Sequence, residues 1–144
     1  MSIEENKAKV RRLIEGFINK GDLAVADEIF DTNFDNHSPA AGTTPDREGI
    51  KQYITMLHTA FPDFHCTIGD LIAEGDRVVV RLTCCGTHKG EFMGVSPTGR
   101  QGNVTAISIL RFSGDRVVER WNNTDNLGLL QQLGVVQPLG QAGE

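Results

Sequence analysis

The sequence predicts an α+β fold: a cone-shaped α+β barrel, with a curved antiparallel sheet wrapped around N-terminal helices. Three observations predict it. Apolar residues recur with helical spacing up to Phe61, the period then shortens to that of strands, and the strand-like runs follow one another through tight turns. Helices first and a four-strand meander afterwards place the helices against one face of the sheet. Such a cone is wide at one end, which suits an apolar small-molecule pocket with a few polar groups.

Each element has its own warrant. From Glu4 to Asn19, the residues Val10, Leu13, Ile14, Phe17 and Ile18 form an i, i+3, i+4, i+7, i+8 stripe, and Ser2 with Glu5 makes a capping box. Lys20-Gly21-Asp22 interrupts this helix, and Leu23 to Phe30 resumes as a short second one. Phe34 to Pro39 reads as a short strand running into a loop, 40–45, broken by Gly42 and Pro45. Arg47 to Ala60 is a third helix, with Ile50, Tyr53, Ile54, Leu57 and Phe61 on one face; Tyr53 is most simply a packing residue there. Four strands follow: Phe64–Ala73, Arg77–Thr87, Gly102–Phe112 and Arg116–Thr124. Turns at Glu74-Gly75-Asp76 and Ser113-Gly114-Asp115 join the outer pairs, and His88 to Gly99 is a long glycine-rich connection. A closing helix runs from Asn126 to Leu133. The expected domain is 1–134, with 135–144 as a frayed tail.

Composition excludes several classes. A net charge of -5 argues against a nucleic-acid binder, which needs a clustered basic face. No run approaches the roughly 20 apolar residues of a membrane helix, and the polar, acidic N-terminus resembles no signal or transit segment; a cytoplasmic protein is expected. Three cysteines, Cys66, Cys84 and Cys85, do not make a disulfide framework, and the adjacent Cys84 and Cys85 read as small buried hydrophobes rather than redox partners. His37, His58, His65 and His88 are dispersed, so no metal site is expected. The glycine-rich connection lacks the GxxxxGK[ST] of a phosphate loop and reads as a loop at the barrel mouth, with Phe92 and Met93 turned toward a ligand.

The chemistry concentrates at Val117 to Asp125. By alternation Trp121, Asn123 and Asp125 project from one face, and the apolar helix after them can close over that face. Asp125 has two readings, a proton-abstracting carboxylate in a pocket or the N-cap of the closing helix.

The blocks Asn36-His37-x-Pro39, Phe61-Pro62-Asp63, Gly75-Asp76-x-Val78, Gly86-Thr87-His88-x-Gly90-Glu91-Phe92-x-Gly94-x-x-Pro97-Thr98-Gly99 and Trp121-x-x-x-Asp125-x-Leu127-Gly128 occur in this order. Over roughly Lys7 to Gly134 the chain resembles the SnoaL-like polyketide cyclases, or predicted ester cyclases, of the nuclear-transport-factor-2-like group. The resemblance implies cofactor-free chemistry on a hydrophobic carbonyl compound: an aspartate removes an acidic proton and the enolate closes a ring by intramolecular aldol condensation. It assigns that aspartate to Asp125 and replaces a family histidine, two residues earlier, by Asn123. The enolate would then need hydrogen-bond donors, for which Asn123, His88 and His37 are available, and Arg81 if it faces inward. Phe61, Phe92, Met93 and Trp121 would wall the pocket. Two other functions suit the same barrel: an epoxide-opening hydrolase and a non-catalytic small-molecule binder. The resemblance also implies a homodimer through the sheet.

Overall fold

The computed structural model describes residues 2–137; the expected frayed tail lies outside them from Pro138 onward. Helix α1 (Ile3–Arg12) starts at the Ser2/Glu5 capping box and continues without a break into wider π-helical turns over Leu13–Asn19. Gly21, with φ of 71°, ends that run, and Asp22 caps α2 (Leu23–Ile29) by accepting from the Ala24 amide. Strand β1 (Phe30–Asn36) follows directly, then α3 (Arg47–Ala60), capped by Asp46. The remaining elements are β2 (His65–Glu74), β3 (Arg77–Thr87), β4 (Gln101–Ser113), β5 (Arg116–Thr124) and α4 (Asn126–Gln132).

The sheet has five strands in the order β1-β5-β4-β3-β2, and β1 runs parallel to β5. The expected all-antiparallel meander therefore needs one correction: the segment before the loop is a full strand that begins at Phe30 and completes a mixed sheet. Its buried Phe30 and Phe34 pack face to tilted face, with ring centroids 4.3 Å apart, and fix it over the core. The helices lie against the concave face, and Val10, Phe17, Ile29, Val78, Val80, Leu110 and Val117 are buried between the layers.

Register sets which side chains face this core. On the concave side Val78, Leu110 and Arg120 form one row across β3, β4 and β5, then Val80, Ser108 and Asn122, then Leu82, Ala106 and Thr124. On the convex side the rows are Ile72, Val79, Ile109 and Trp121, and Asp70, Arg81, Ile107 and Asn123. A bulge opposite the Arg111–Phe112 step changes the phase of β5: Phe112 pairs with Val117 but Arg111 pairs with Glu119. Counted from the buried Val117, strict alternation would turn Trp121 and Asn123 inward. The extra residue, Val118, reverses that, because a one-residue slip moves every later side chain to the other face.

The cysteine expectation is corrected as well. Cys66 and Cys84 are register partners on β2 and β3 and are joined as a disulfide, leaving Cys85 free and exposed. Both amide groups of Cys66 point away from β3 toward the sheet edge, where Asn19 takes them: its Nδ2 donates to the Cys66 carbonyl at 2.9 Å and its Oδ1 accepts from the Cys66 amide at 2.7 Å. One side chain thus satisfies part of an otherwise open edge strand.

Candidate ligand cavity

Between the sheet and the helices lies a cavity of about 110 Å³. An apolar cavity near 150 Å³ is enough to take up benzene, so this space suits about one aromatic ring. Its helical wall is Ile14 and Ile18 from the π-helical turns and Tyr53, Ile54 and Leu57 from α3. The β3 side adds Leu82 and Cys84, and Phe61 and Phe92 meet edge to face at 5.2 Å at one end. At α4 the lid residue Leu129 sits where a side chain on Gly102 would be: a Cβ there would lie 2.4 Å from Leu129 Cδ1. Glycine at that position lets α4 close directly onto β4.

Most polar groups of the cavity lie together on β4 and β5, with Tyr53 added from α3 and Asn126 from α4. Ser108 Oγ donates to Asn122 Oδ1 at 2.6 Å, Asn122 Nδ2 donates to Thr124 Oγ1 at 2.8 Å, and the Asn122 amide donates to Ser38 Oγ at 2.9 Å. The first two bonds hold the Asn122 carboxamide in one orientation and leave it a second N–H to offer, while the third, from the backbone N–H, ties β5 to Ser38. The Arg120 side chain, one row further along, has a single hydrogen bond among the described residues, from Nη1 to Asn36 Oδ1 at 3.3 Å. Among the described residues no carboxylate pairs with it. Burial is the main influence on its guanidinium and lowers the pKa to about 10, offset in part by Tyr53. Its surface is only partly covered because it faces the cavity, while protein surrounds it on the other sides. Burial likewise raises the Tyr53 phenol, so Tyr53 stays neutral and supplies no counter-charge.

The residues singled out from sequence divide between this cavity and other places. Phe61 and Phe92 line it. Met93 does not: it is 58 % exposed, with φ of 52°, in a two-residue turn with Gly94 that Phe92 and Val95 close by exchanging backbone hydrogen bonds. Trp121, Asn123 and Arg81 lie on the convex face, in an open groove with Ile107 and Ile109. Arg81 is committed there to Asp70 at 2.5 Å. His37 is on the same side; its ring stacks on Trp121 at 4.8 Å and its Nε2 meets Glu119 Oε2 at 2.8 Å. Glu119 also accepts from Arg111, and these partners hold its carboxyl below the ordinary range.

Asp125 follows β5 and caps α4: Oδ1 accepts from the Gly128 amide at 2.9 Å, and the carboxylate borders the convex groove rather than the cavity. His88 is fully buried behind Phe61, against which it stacks at 5.4 Å. Its Nδ1 accepts from the Thr98 amide at 3.2 Å, and its Nε2 has no partner among the described residues. The cavity's own polar set, Tyr53, Ser108, Arg120, Asn122 and Thr124, is what reasoning from sequence missed. No residue of β5 marks the bulge that turns Arg120, Asn122 and Thr124 inward; it shows only in the pairing with β4.

The family model for SnoaL-like polyketide cyclases matches residues 8–133. The chain belongs to the SnoaL-like polyketide cyclase family. Among solved structures it is similar to IdmH of Streptomyces antibioticus, proposed to be a polyketide cyclase, with 36% identity, TM-score 0.79, and 90% of this chain and 99% of that one covered. TsrD of Streptomyces laurentii superposes with TM-score 0.86 at 25% identity, covering 94% and 99%. AclR of Streptomyces galilaeus, proposed to be a hydroxylase, superposes with TM-score 0.83 at 28% identity, covering 97% and 91%. No curated protein matches the chain. These likenesses establish the nuclear-transport-factor-2-like cone for this SnoaL-like chain. Among its described residues no helix is long and apolar enough to cross a membrane.

Proposed function

We propose that this SnoaL-like chain binds a hydrophobic carbonyl compound in the cone and promotes its enolisation, as a first step toward ring closure of the aldol type. The observation that carries the reading is the division of the cavity into an apolar half and a fixed polar ribbon, Ser108-Asn122-Thr124 with Arg120 beside it. A ring would rest on Ile14, Ile18, Leu57 and Leu82, and a carbonyl oxygen would meet the ribbon. Negative charge growing on that oxygen would be stabilised by the Asn122 N–H and by the Arg120 guanidinium, donors already oriented before reaction in a site that excludes most water. A carbon between two carbonyls is acidic enough that such stabilisation promotes loss of its proton to water at the mouth. In this reading Asp125 is a helix cap, and no proton passes through it.

A panel of aromatic β-diketones and β-keto esters tests the proposal. Enolates absorb differently from their parent ketones, so absorbance titration in the presence of protein reads binding and enolisation together. The expected result is a bound ligand whose enolate forms at lower pH than in free solution; an unshifted titration of a bound ligand leaves a binder without chemistry. That second reading has its own support, because no carboxylate stands among the described residues lining the cavity. Asp125→Asn separates the two assignments of Asp125. Asn caps helices about as well as Asp, so turnover and stability are expected to survive, whereas loss of turnover with binding kept would restore Asp125 as the base.

The homodimer is proposed on the convex face. The row Ile72, Val79, Ile109 and Trp121 crosses four strands there, with Ile72 61 % and Ile107 50 % exposed.

A further inference from the structure

We propose that the compound this cavity selects is a carboxylic acid, bound through its carboxylate to Arg120, with its hydrophobic body against the helices and a second oxygen at Asn122. This deepens the ligand-binding reading above and rests on it. The argument starts from what surrounds the guanidinium. Arg120 lines the cavity, donates one long hydrogen bond to a neutral amide, and has no ion pair among the described residues. Arg81 and Arg111, on the convex side, differ: Arg81 is paired with Asp70 and Arg111 with Glu119 and Asp76, while Arg116 at the start of β5 donates to the Asp27 and Phe30 carbonyls.

A charge taken out of water without a partner is costly, and buried charges in proteins are paired as a rule. Neither polar neighbour can neutralise Arg120. Asn36 is uncharged and its Oδ1 is shared with the Ser38 amide at 3.0 Å, and Tyr53 is held neutral by its own burial. The missing negative charge is therefore left for the ligand. A single guanidinium with most of its N–H groups unused presents a planar fork matched to one carboxylate. An enolate alone would meet the same fork at one oxygen. A carboxylate uses two and is present before any reaction, so it serves recognition while the Ser108-Asn122-Thr124 ribbon is left for the reacting carbonyl.

The cavity's size sets the rest. About 110 Å³ holds one ring, so small aryl acids are suitable probes. Phenylacetate and benzoate, each beside its methyl ester, are titrated calorimetrically into the full chain at neutral pH. The expected result is that at least one acid binds on the order of 100-fold more tightly than its ester, the usual effect of removing one partner of a desolvated charge pair. Arg120→Gln should abolish the preference, so that acid and ester bind alike, and Arg120→Lys should keep part of it, since it retains the charge but not the fork. Acid binding should also weaken as pH falls toward the ligand's own pKa.

Esters that bind as well as acids, or an acid preference that survives in Arg120→Gln, would overturn the proposal while leaving the cavity a carbonyl site. Failure of acids, esters and β-dicarbonyl compounds alike would remove both readings. If Arg120→Gln does not fold, the comparison of acid with ester in the unaltered chain still decides.

Discussion

Arg120→Met is expected to make the unliganded protein more stable. Burial lowers the guanidinium pKa from its ordinary value to about 10. At about 1.4 kcal/mol for each tenfold change in proton affinity, that is on the order of 3 kcal/mol held against the folded state. The sign follows from linkage. Arg120 is charged in both folded and unfolded chains below about pH 10, so the penalty is fully present there and would fade only as pH rose above that value. Part of the guanidinium surface faces a cavity that admits water, which reduces the penalty, and methionine fills the same path along β5 with an adaptable apolar chain. A net gain of about 1–3 kcal/mol is therefore expected, within the range seen when buried charges are replaced by hydrophobes. For a chain of this length that amounts to a rise of roughly 3–10 °C in Tm. Calorimetric melts at pH 6 and pH 8 should give the same rise, because Arg120 does not titrate between them. An unchanged or lower Tm would refute the reasoning, for it would mean that Arg120 already has its counter-charge within the fold. A stabilised variant that no longer binds acids would instead place Arg120 among residues kept for function at the expense of stability.

Glu119 offers a test on the convex face. The hydrogen bond with His37, and then that with Arg111, lowers its pKa, so it contributes stability above the ordinary carboxylate value that is lost as pH falls through the lowered one. Denaturant midpoints measured from about pH 6 to pH 3 should fall less steeply for Glu119→Gln than for the unaltered chain; parallel curves would show that the contact contributes nothing. Thiol titration of the unfolded, unreduced protein should find one free thiol, Cys85, and reduction should release two more. Closing the Cys66–Cys84 separation of 18 residues by a disulfide is worth about 3 kcal/mol, so reduction should lower Tm by roughly 10 °C, and three thiols before reduction would exclude the bond. Ile107→Glu, in the middle of the convex face, should shift a dimer to monomer in sedimentation without lowering Tm by more than a few degrees; a wild-type monomer would remove the proposed assembly.

How much of this was legible in the sequence depends on how local the determinant is. Helix α3 and strands β3 and β5 have the bounds that apolar spacing predicts, because a capping Asp46, the Gly75 and Gly114 turns and an uninterrupted period are all local signals. The Ser2/Glu5 capping box is legible for the same reason. Two features were not. Strand β1 looks like a fragment because four of its seven residues are Asp or Asn, poor strand formers. It becomes a strand only through Phe30 and Phe34, which are buried in the core, and through pairing with β5, more than eighty residues later in the chain.

The second illegible feature decided the site. Nothing in Arg116 to Thr124 marks Val118 as the residue that bulges; the phase of β5 is set by its partner β4, where Ser108, Leu110 and Phe112 all face inward. Before the bulge Val117 faces the core, and after it Arg120, Asn122 and Thr124 do. The same step carries Trp121 and Asn123 outward and leaves Asp125 at the rim, free to cap α4. A single extra residue thus exchanges an indole, an amide and a carboxylate for a guanidinium and a hydrogen-bonded amide–hydroxyl ribbon. The chemistry expected of the cavity changes with it, from removing a proton with a negative group to holding a negative charge with a positive one.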